Sequence, residues 1–390
     1  MSLASIPNQA KNHPAKDRQT MAVSDFDPNK VMSAIQAEAK AFGAQSQNNS
    51  INDHKISNTQ RDLDWLLNSS DLLDLKSYFS QDEHGLRIDC FRRPEKHYLL
   101  ETQHVSEQRR LGLYAEDLLS AYFSHHESSQ ILISRNLQIQ NPDFNEGRTV
   151  GEFDFLTQDR YNKRYLHTEM CCKFYLGLAI PQTSANAEKE SVESNWQHWL
   201  GPNCNDRLDI KISRLGTRQL TLSQHPAAKQ RLMELAISPV DAQYLLRGRL
   251  FFPAYKTMAA PLHSTSDQLK GLWICHSEVE RLFEDISKVW QEWWFTQINK
   301  LEFMAPRPSH RYQHPLLSKD RFKNYIDDYF QNGVQDKDSN RTRLARPLPL
   351  VLSPTTSQSG SMGYTELRLF VVPDSWIELA SKQAVTPSPL

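Results

Sequence analysis

The sequence predicts an α/β protein of the α+β kind, with a central mixed sheet flanked by helices. Three observations carry this. Arg110 to Phe123 places Leu111, Tyr114, Leu118, Leu119 and Tyr122 at helical spacing. Three strand-like runs follow, at 131–140, 150–157 and 165–176, joined by short polar connections. A second amphipathic segment and another apolar run, 244–255 (YLLRGRLFFPAY), come next. The order helix, strand, strand, strand, helix, strand suits helices packed on the faces of one sheet.

Taken in order, residues 1 to about 57 are rich in Asn, Gln, Ser, Ala and Lys. They bury too little to offset chain entropy, so disorder is expected, with a weak helix near 31–42. Order begins at Arg61-Asp62-Leu63-Asp64-Trp65-Leu66-Leu67 and continues through Leu72, Leu73 and Leu75 as short core helices. The turn formers between Asn141 and Gly147, and the short link 158–163, predict antiparallel neighbours. Residues 182–198 read as a polar surface insertion. Asn203 to Asp206 offers capping chemistry for a helix running from Arg207 to about Gln219. Between Gly271 and Leu301 a long amphipathic helix is expected, with Leu282, Phe283, Ile286, Trp290, Trp293 and Trp294 on its apolar side. Strands at 347–352 and 367–372 close the pattern. The expected domain is 58–380, with a core of about 105–256, an extension 257–380 and a flexible tail 381–390.

Composition narrows the class. The 390 residues carry a net charge of −1, so nucleic-acid binding needs a local patch rather than a basic whole. Eight tryptophans and seventeen phenylalanines supply a core. Cys90, Cys171, Cys172, Cys204 and Cys275 form no CxxC pair, which points to free thiols in a reducing compartment. No apolar run approaches the roughly 18 residues of a membrane span, and no secretory h-region opens the chain. A cytoplasmic location is expected.

The chemistry concentrates in Gly151-Glu152-Phe153-Asp154-Phe155-Leu156 and His167-Thr168-Glu169-Met170-Cys171-Cys172-Lys173. Charged residues in core strands are costly unless paired or metal-bound. Alternation puts Glu152 and Asp154 on one face, and Glu169, Cys171 and Lys173 on one face of the next strand. If the two faces meet, Asp154 and Glu169 can hold one Mg²⁺ or Mn²⁺, with Lys173 near the water or phosphate and Glu116 completing the shell. The other reading is a buried ion-pair network of Asp154, Glu169 and Lys173. Glu152 reads as structural, His167 as a core or edge histidine, and Cys171 and Cys172 as small buried hydrophobes.

GEFDFL, the HTEMCCKFYL strand and WLGPNCNDRLDIKISRL resemble the bacterial DUF1853 family over roughly residues 58 to 380. That family is similar in fold and motif to the PD-(D/E)XK nuclease superfamily. The resemblance implies a restriction-endonuclease-like αβββαβ core. It also implies Glu116 as the helix carboxylate, Asp154 as the second-strand acid and Glu169 as the third-strand acid. The superfamily lysine lies two residues beyond the third-strand acid. Here that position is Cys171 and the lysine is Lys173, displaced by about 6–7 Å along a regular strand, a distance a bulge shortens.

Arg207, Lys211, Arg214 and Arg218 fall at intervals of four, three and four, forming a basic stripe beside Leu208, Ile212 and Leu215. The stripe reads either as a track for a nucleic-acid backbone or as a solvated face. The tryptophans at 290–294 read as core packing ahead of base stacking. Three functions compete: a Mg²⁺-dependent nuclease acting on DNA before RNA, a catalytically degenerate nucleic-acid-binding module, and a protein-interaction scaffold. The expected partner is nucleic acid, with no membrane.

Overall fold

Alternating and continuous apolar runs build one large mixed sheet with helices on both faces. The computed structural model describes residues 57–386, apart from 80–85, 95–97, 100–109, 142–148, 181–195, 333, 336–341, 344–345 and 356–365. The expected N-terminal tail, but for Ser57, and the weak helix near 31–42 lie outside the described residues, as does most of the insertion at 182–198.

The strands are β1 Ile88–Cys90, β2 Gln130–Gln140, β3 Thr149–Asp159, β4 Tyr165–Gly177, β5 Trp199–Leu200, β6 Val240–Pro253, β7 Lys270–Cys275, β8 Trp293–Gln297, β9 Leu317–Ser318, β10 Val334–Gln335, β11 Thr342–Arg343, β12 Leu348–Pro354 and β13 Leu367–Val372. Their order across the sheet is β2-β3-β4-β6-β7-β13-β12-β8-β9. The short connections make β2, β3 and β4 antiparallel. From β4 through β6 and β7 to β13 the strands run parallel, and the rest of the path is antiparallel. β6 has β4 along one side; its other side is shared, with β1 beside its first half and β7 beside its last residues. β5 pairs with the end of β4, while β10 and β11 form a separate pair.

Burial follows position. β6 is covered on both faces and reads as a near-continuous buried run. On one face the helices Asn58–Asn68 and Leu111–Ser124 pack Leu63, Trp65, Leu118 and Tyr122 with Phe155, Met170 and Phe174. On the other, the helix Leu208–Arg214 sets Leu208 and Ile212 on Cys171, Tyr175, Tyr244 and Leu246. Each such side chain contributes about 1.5–3 kcal/mol by leaving water. Where β4 and β6 meet, Gly248 has φ +153°, and a Cβ there would lie 1.6 Å from the Lys173 carbonyl oxygen. Only glycine fits that approach.

Buried charge pins the first helix. Arg247 donates through Nε to the Leu66 carbonyl at 2.8 Å and through Nη1 to Asp71 at 2.5 Å, closing the carbonyl end of Asn58–Asn68. Asp62 accepts from Tyr114 Oη at 2.9 Å, Arg307 Nη2 at 3.0 Å and Ala305 N at 3.3 Å. Arg307 also lies 3.6 Å from Glu302, and Arg368 donates to Glu366 at 3.2 Å. Arg368 on β13 also donates to the Ala305 carbonyl at 3.1 Å, so the cluster ties the segment around Ala305 and Arg307 to the first helix and to the sheet.

The region from Gly271 to Leu301 corrects the expected long helix. The helix spans only Val279–Val289, between β7 and β8. Trp290 is extended at its end, and Trp293 and Trp294 belong to β8, paired with β12. Trp290, Trp293 and Trp294 sit at i, i+3 and i+4, which imitates a helix face, but the run WWFT is aromatic and β-branched and takes the strand. The expected tail from residue 381 is corrected over its first residues, since 381–384 form the last turn of the helix Trp376–Ala384. No helix among the described residues is long and apolar enough to cross a membrane.

Candidate functional site

The β3–β4 ladder runs from Gln158–Tyr165 to Phe155–Thr168 and stops. β3 continues beside β2 to Thr149, and β4 continues beside β6, so the two strands part. One further step of the register sets Asp154 opposite Glu169, on the face of Leu156 and His167. Asp154 closes the fork itself: its Oδ2 accepts the Met170 backbone N–H at 3.0 Å. Its Oδ1 makes no hydrogen bond among the described residues.

Burial pushes the Asp154 carboxyl up to about 8, and the Glu169 charge adds to this, as does that of Glu116; the Met170 N–H and Lys211 pull the other way. Glu169 is 2 % exposed. Its Oε1 meets His167 Nε2 at 2.7 Å, and its Oε2 accepts from Gln219 Nε2 at 2.5 Å. With its proton on Nε2, His167 donates to this carboxylate; its Nδ1 is buried without a hydrogen-bond partner among the described residues. Gln219 in turn accepts from Lys211 Nζ at 3.0 Å.

That last link depends on a local irregularity. Past Arg214 the helix continues as a π turn, Leu215–Gln219, marked by the i→i+5 bond from Leu220 N to Leu215 O at 2.9 Å. On a regular α-helix Gln219 would lie about 80° around the axis from Lys211; the additional residue of a π turn brings it to within about 20°. The turn therefore sets the amide between Lys211 and Glu169.

The remaining expected residues divide. Glu116, half-buried on the helix Leu111–Ser124, lies 3.4 Å from Arg135, which also pairs with Asp117 at 2.6 Å. Burial raises the Glu116 carboxyl, and Arg135 opposes this. The charge of Glu152 raises the Glu116 carboxyl further. Lys173 points to the Glu169 face but pairs with Asp206 Oδ2 at 2.5 Å. Cys171 packs in the core, where burial pushes its thiol up; burial does the same to Cys172.

The basic stripe also splits. Arg207 is buried, bonded to both Asp209 oxygens at 2.7 Å and to the carbonyls of Gln383 at 2.5 Å and Thr386 at 2.6 Å. It closes the end of the helix Trp376–Ala384 and belongs to no exposed face. Lys211 is half-buried and turned to the fork, while Arg214 and Arg218 are exposed. Gln219 and Asp206 were not expected at the site. The polar residue ending an amphipathic helix is a weak signal for Gln219, and the π turn that aims it has no sequence mark.

Among the described residues, no three His, Cys, Asp or Glu side chains gather closely enough to hold a metal ion. The fork offers two carboxylates. A family described as a domain of unknown function, DUF1853, matches residues 61–372, and the chain belongs to that family. No curated protein and no solved structure was found to match the chain.

Proposed function

We propose that this DUF1853 domain takes a divalent cation at the β3–β4 fork and hydrolyses phosphodiester bonds in nucleic acid, DNA being the first substrate to test. One observation carries the reading: Asp154 and Glu169 oppose each other in a buried site, and among the described residues no Lys or Arg is bonded to either. The helix before β2, the antiparallel β2, β3 and β4, the helices between β4 and β6, and β6 parallel to β4, with acids at the parting of two strands, support the resemblance to PD-(D/E)XK nucleases.

The donor set fits a hard cation. Asp154 Oδ1 is open, and each bonded Glu169 oxygen keeps a lone pair. Mg²⁺ takes one or two protein carboxylates and fills its octahedron with water and phosphate oxygen. When bound, the ion supplies Lewis acidity and lowers the pKa of water. Asp154 and Glu169 would hold it. His167 and Gln219 fix the Glu169 carboxylate from both sides. Met170 N–H fixes that of Asp154. Exposed Arg214 and Arg218 offer positive charge to the polyanion. Water oxygen joins phosphorus, a bridging P–O bond breaks, the departing oxygen gains a proton and the water loses one.

A catalytically degenerate binding module is the second reading. The pairing of Lys173 with Asp206 favours it, because the strand lysine is then engaged by a carboxylate other than the two acids. Cleavage assays on single- and double-stranded DNA and RNA with Mg²⁺ or Mn²⁺ separate the two. Metal-dependent cleavage abolished by Asp154→Ala supports the enzyme. Binding without cleavage by any metal leaves the module.

A further inference from the structure

We propose that Lys211, held by Gln219, is the cation that meets the phosphate at the fork in place of Lys173. This rests on the cation-dependent reading above.

Lys173 is poorly placed. It lies four residues beyond Glu169, about 13 Å along an extended strand, and its ammonium is paired with Asp206 at 2.5 Å. Lys211 reaches the acids from the covering helix. It stands one amide away from Glu169, through hydrogen bonds of 3.0 and 2.5 Å, and its charge acts on Asp154. An ammonium has three donors. Lys211 uses one on Gln219 and makes no other hydrogen bond among the described residues. Two donors thus remain beside the carboxylates.

The charges favour the same assignment. Asp154 and Glu169 together carry two negative charges when ionised, which one divalent ion cancels. Arg135 is taken up by Glu116 and Asp117 together. Lys211 supplies a positive charge beside these acids that the negative charge of a phosphodiester would meet. Arg214 and Arg218, exposed farther along the same helix, extend that charge toward solvent.

The test compares K211Q, K211R and K173Q in the full chain. Three quantities are read: cleavage with Mn²⁺, oligonucleotide affinity against salt in Ca²⁺, and Mn²⁺ affinity. K211Q should lower cleavage by a factor on the order of 10²–10³. It should reduce the log–log salt slope by about one. Mn²⁺ affinity should hold or tighten, since a like charge leaves the site. K211R should restore the slope, and K173Q should change neither slope nor cleavage. A K211Q protein that loses Mn²⁺ binding along with cleavage would overturn the assignment, because Lys211 would then only brace Glu169. So would a loss seen in K173Q and not in K211Q. If the wild type cleaves and K211Q matches it, Lys211 falls and the hydrolase reading stands. If the wild type binds with a Lys211-dependent slope and cleaves nothing, the hydrolase reading falls and the phosphate contact stands. A wild type that neither binds nor cleaves removes both.

Discussion

Asp62 and Asp154 are both carboxylates buried beside the same sheet, in opposite electrostatic company. Asp62 is fully buried, yet its carboxyl is pushed up only to about 6, because Arg307 opposes the desolvation and Tyr114 and Ala305 donate to it. Asp154 is less buried and reaches about 8. The charge that acts on it most strongly is another acid, Glu169, and its one hydrogen bond among the described residues comes from a backbone N–H. The first cluster carries its own cations. In the second, no Lys or Arg is bonded to either acid among the described residues, which is the observation on which the proposed cation site rests.

The largest expected contrast is in stability. Arg307→Ala strands Asp62 and Glu302 and should cost about 3–5 kcal/mol in urea unfolding. Asp154→Asn keeps an acceptor for the Met170 N–H and removes a like-charge repulsion, so it should be neutral or stabilising in metal-free buffer. An equal cost for the two would make the fork a structural pair like the other.

Next in size is the response to metal. At a hundredfold excess over its dissociation constant, Mg²⁺ or Mn²⁺ should stabilise the wild type by about 2.7 kcal/mol. Asp154→Asn should lose that gain. Thermal melts in chelator and in metal give the answer, and an unchanged wild-type melt would remove the cation from the fork.

The pH dependence sharpens the comparison further. The Asp154 carboxyl stands at about 8 in the folded chain against an ordinary 3.8. The folded state therefore keeps a proton that the unfolded state releases across that window, and stability falls as pH rises through it. Without metal, Asp154→Asn should match the wild type near pH 4. It should exceed it by about 1–3 kcal/mol at pH 9, the full shift being discounted for screening at a partly exposed site. A constant difference from pH 4 to 9 would show that the carboxyl ionises normally.

The smallest effect concerns the basic helix. Reversing Arg214 and Arg218 together should lower the salt slope of oligonucleotide binding by about one unit for each phosphate no longer engaged, with the fold intact. Arg207→Ala should instead lower the melting temperature and leave the slope alone. Equal slopes in the folded double variant and the wild type would make the outer arginines a solvated face.

Strand and helix order was legible wherever the periodicity was unambiguous. The segments around Leu111–Ser124, β2, β3, β4 and β6 follow directly from spacing and turn residues. Alternation assigns each acid a face of its own strand, while whether the two faces meet depends on the register, which the pairing of Leu156 with His167 sets. The partners of the long basic side chains were not legible. Lys173 and Arg207 satisfy carboxylates and carbonyls brought in by folding: Asp206 before the helix, and Gln383 and Thr386 far along the chain. Spacing defines a helical face, but not which side chains on that face are covered. The tryptophans of 290–294 show the same limit from the other side, since three residues fit a helix face and a strand alike.

The divided flank of β6 bears on the order in which the molecule assembles. β2, β3 and β4 are close neighbours in sequence and can pair early, while Asp154 and Glu169 are still in water. The neighbours of β6 come from residues 88–90 on one flank and 165–177 on the other, completed by 270–275. Such distant pairings are slow to find. Synthesis must pass β7 before the centre of the sheet can close. The carboxylates at the fork therefore begin as ordinary hydrated acids, and Asp154 acquires its raised proton affinity only when the fork is buried and the π-turned helix brings Gln219 to Glu169.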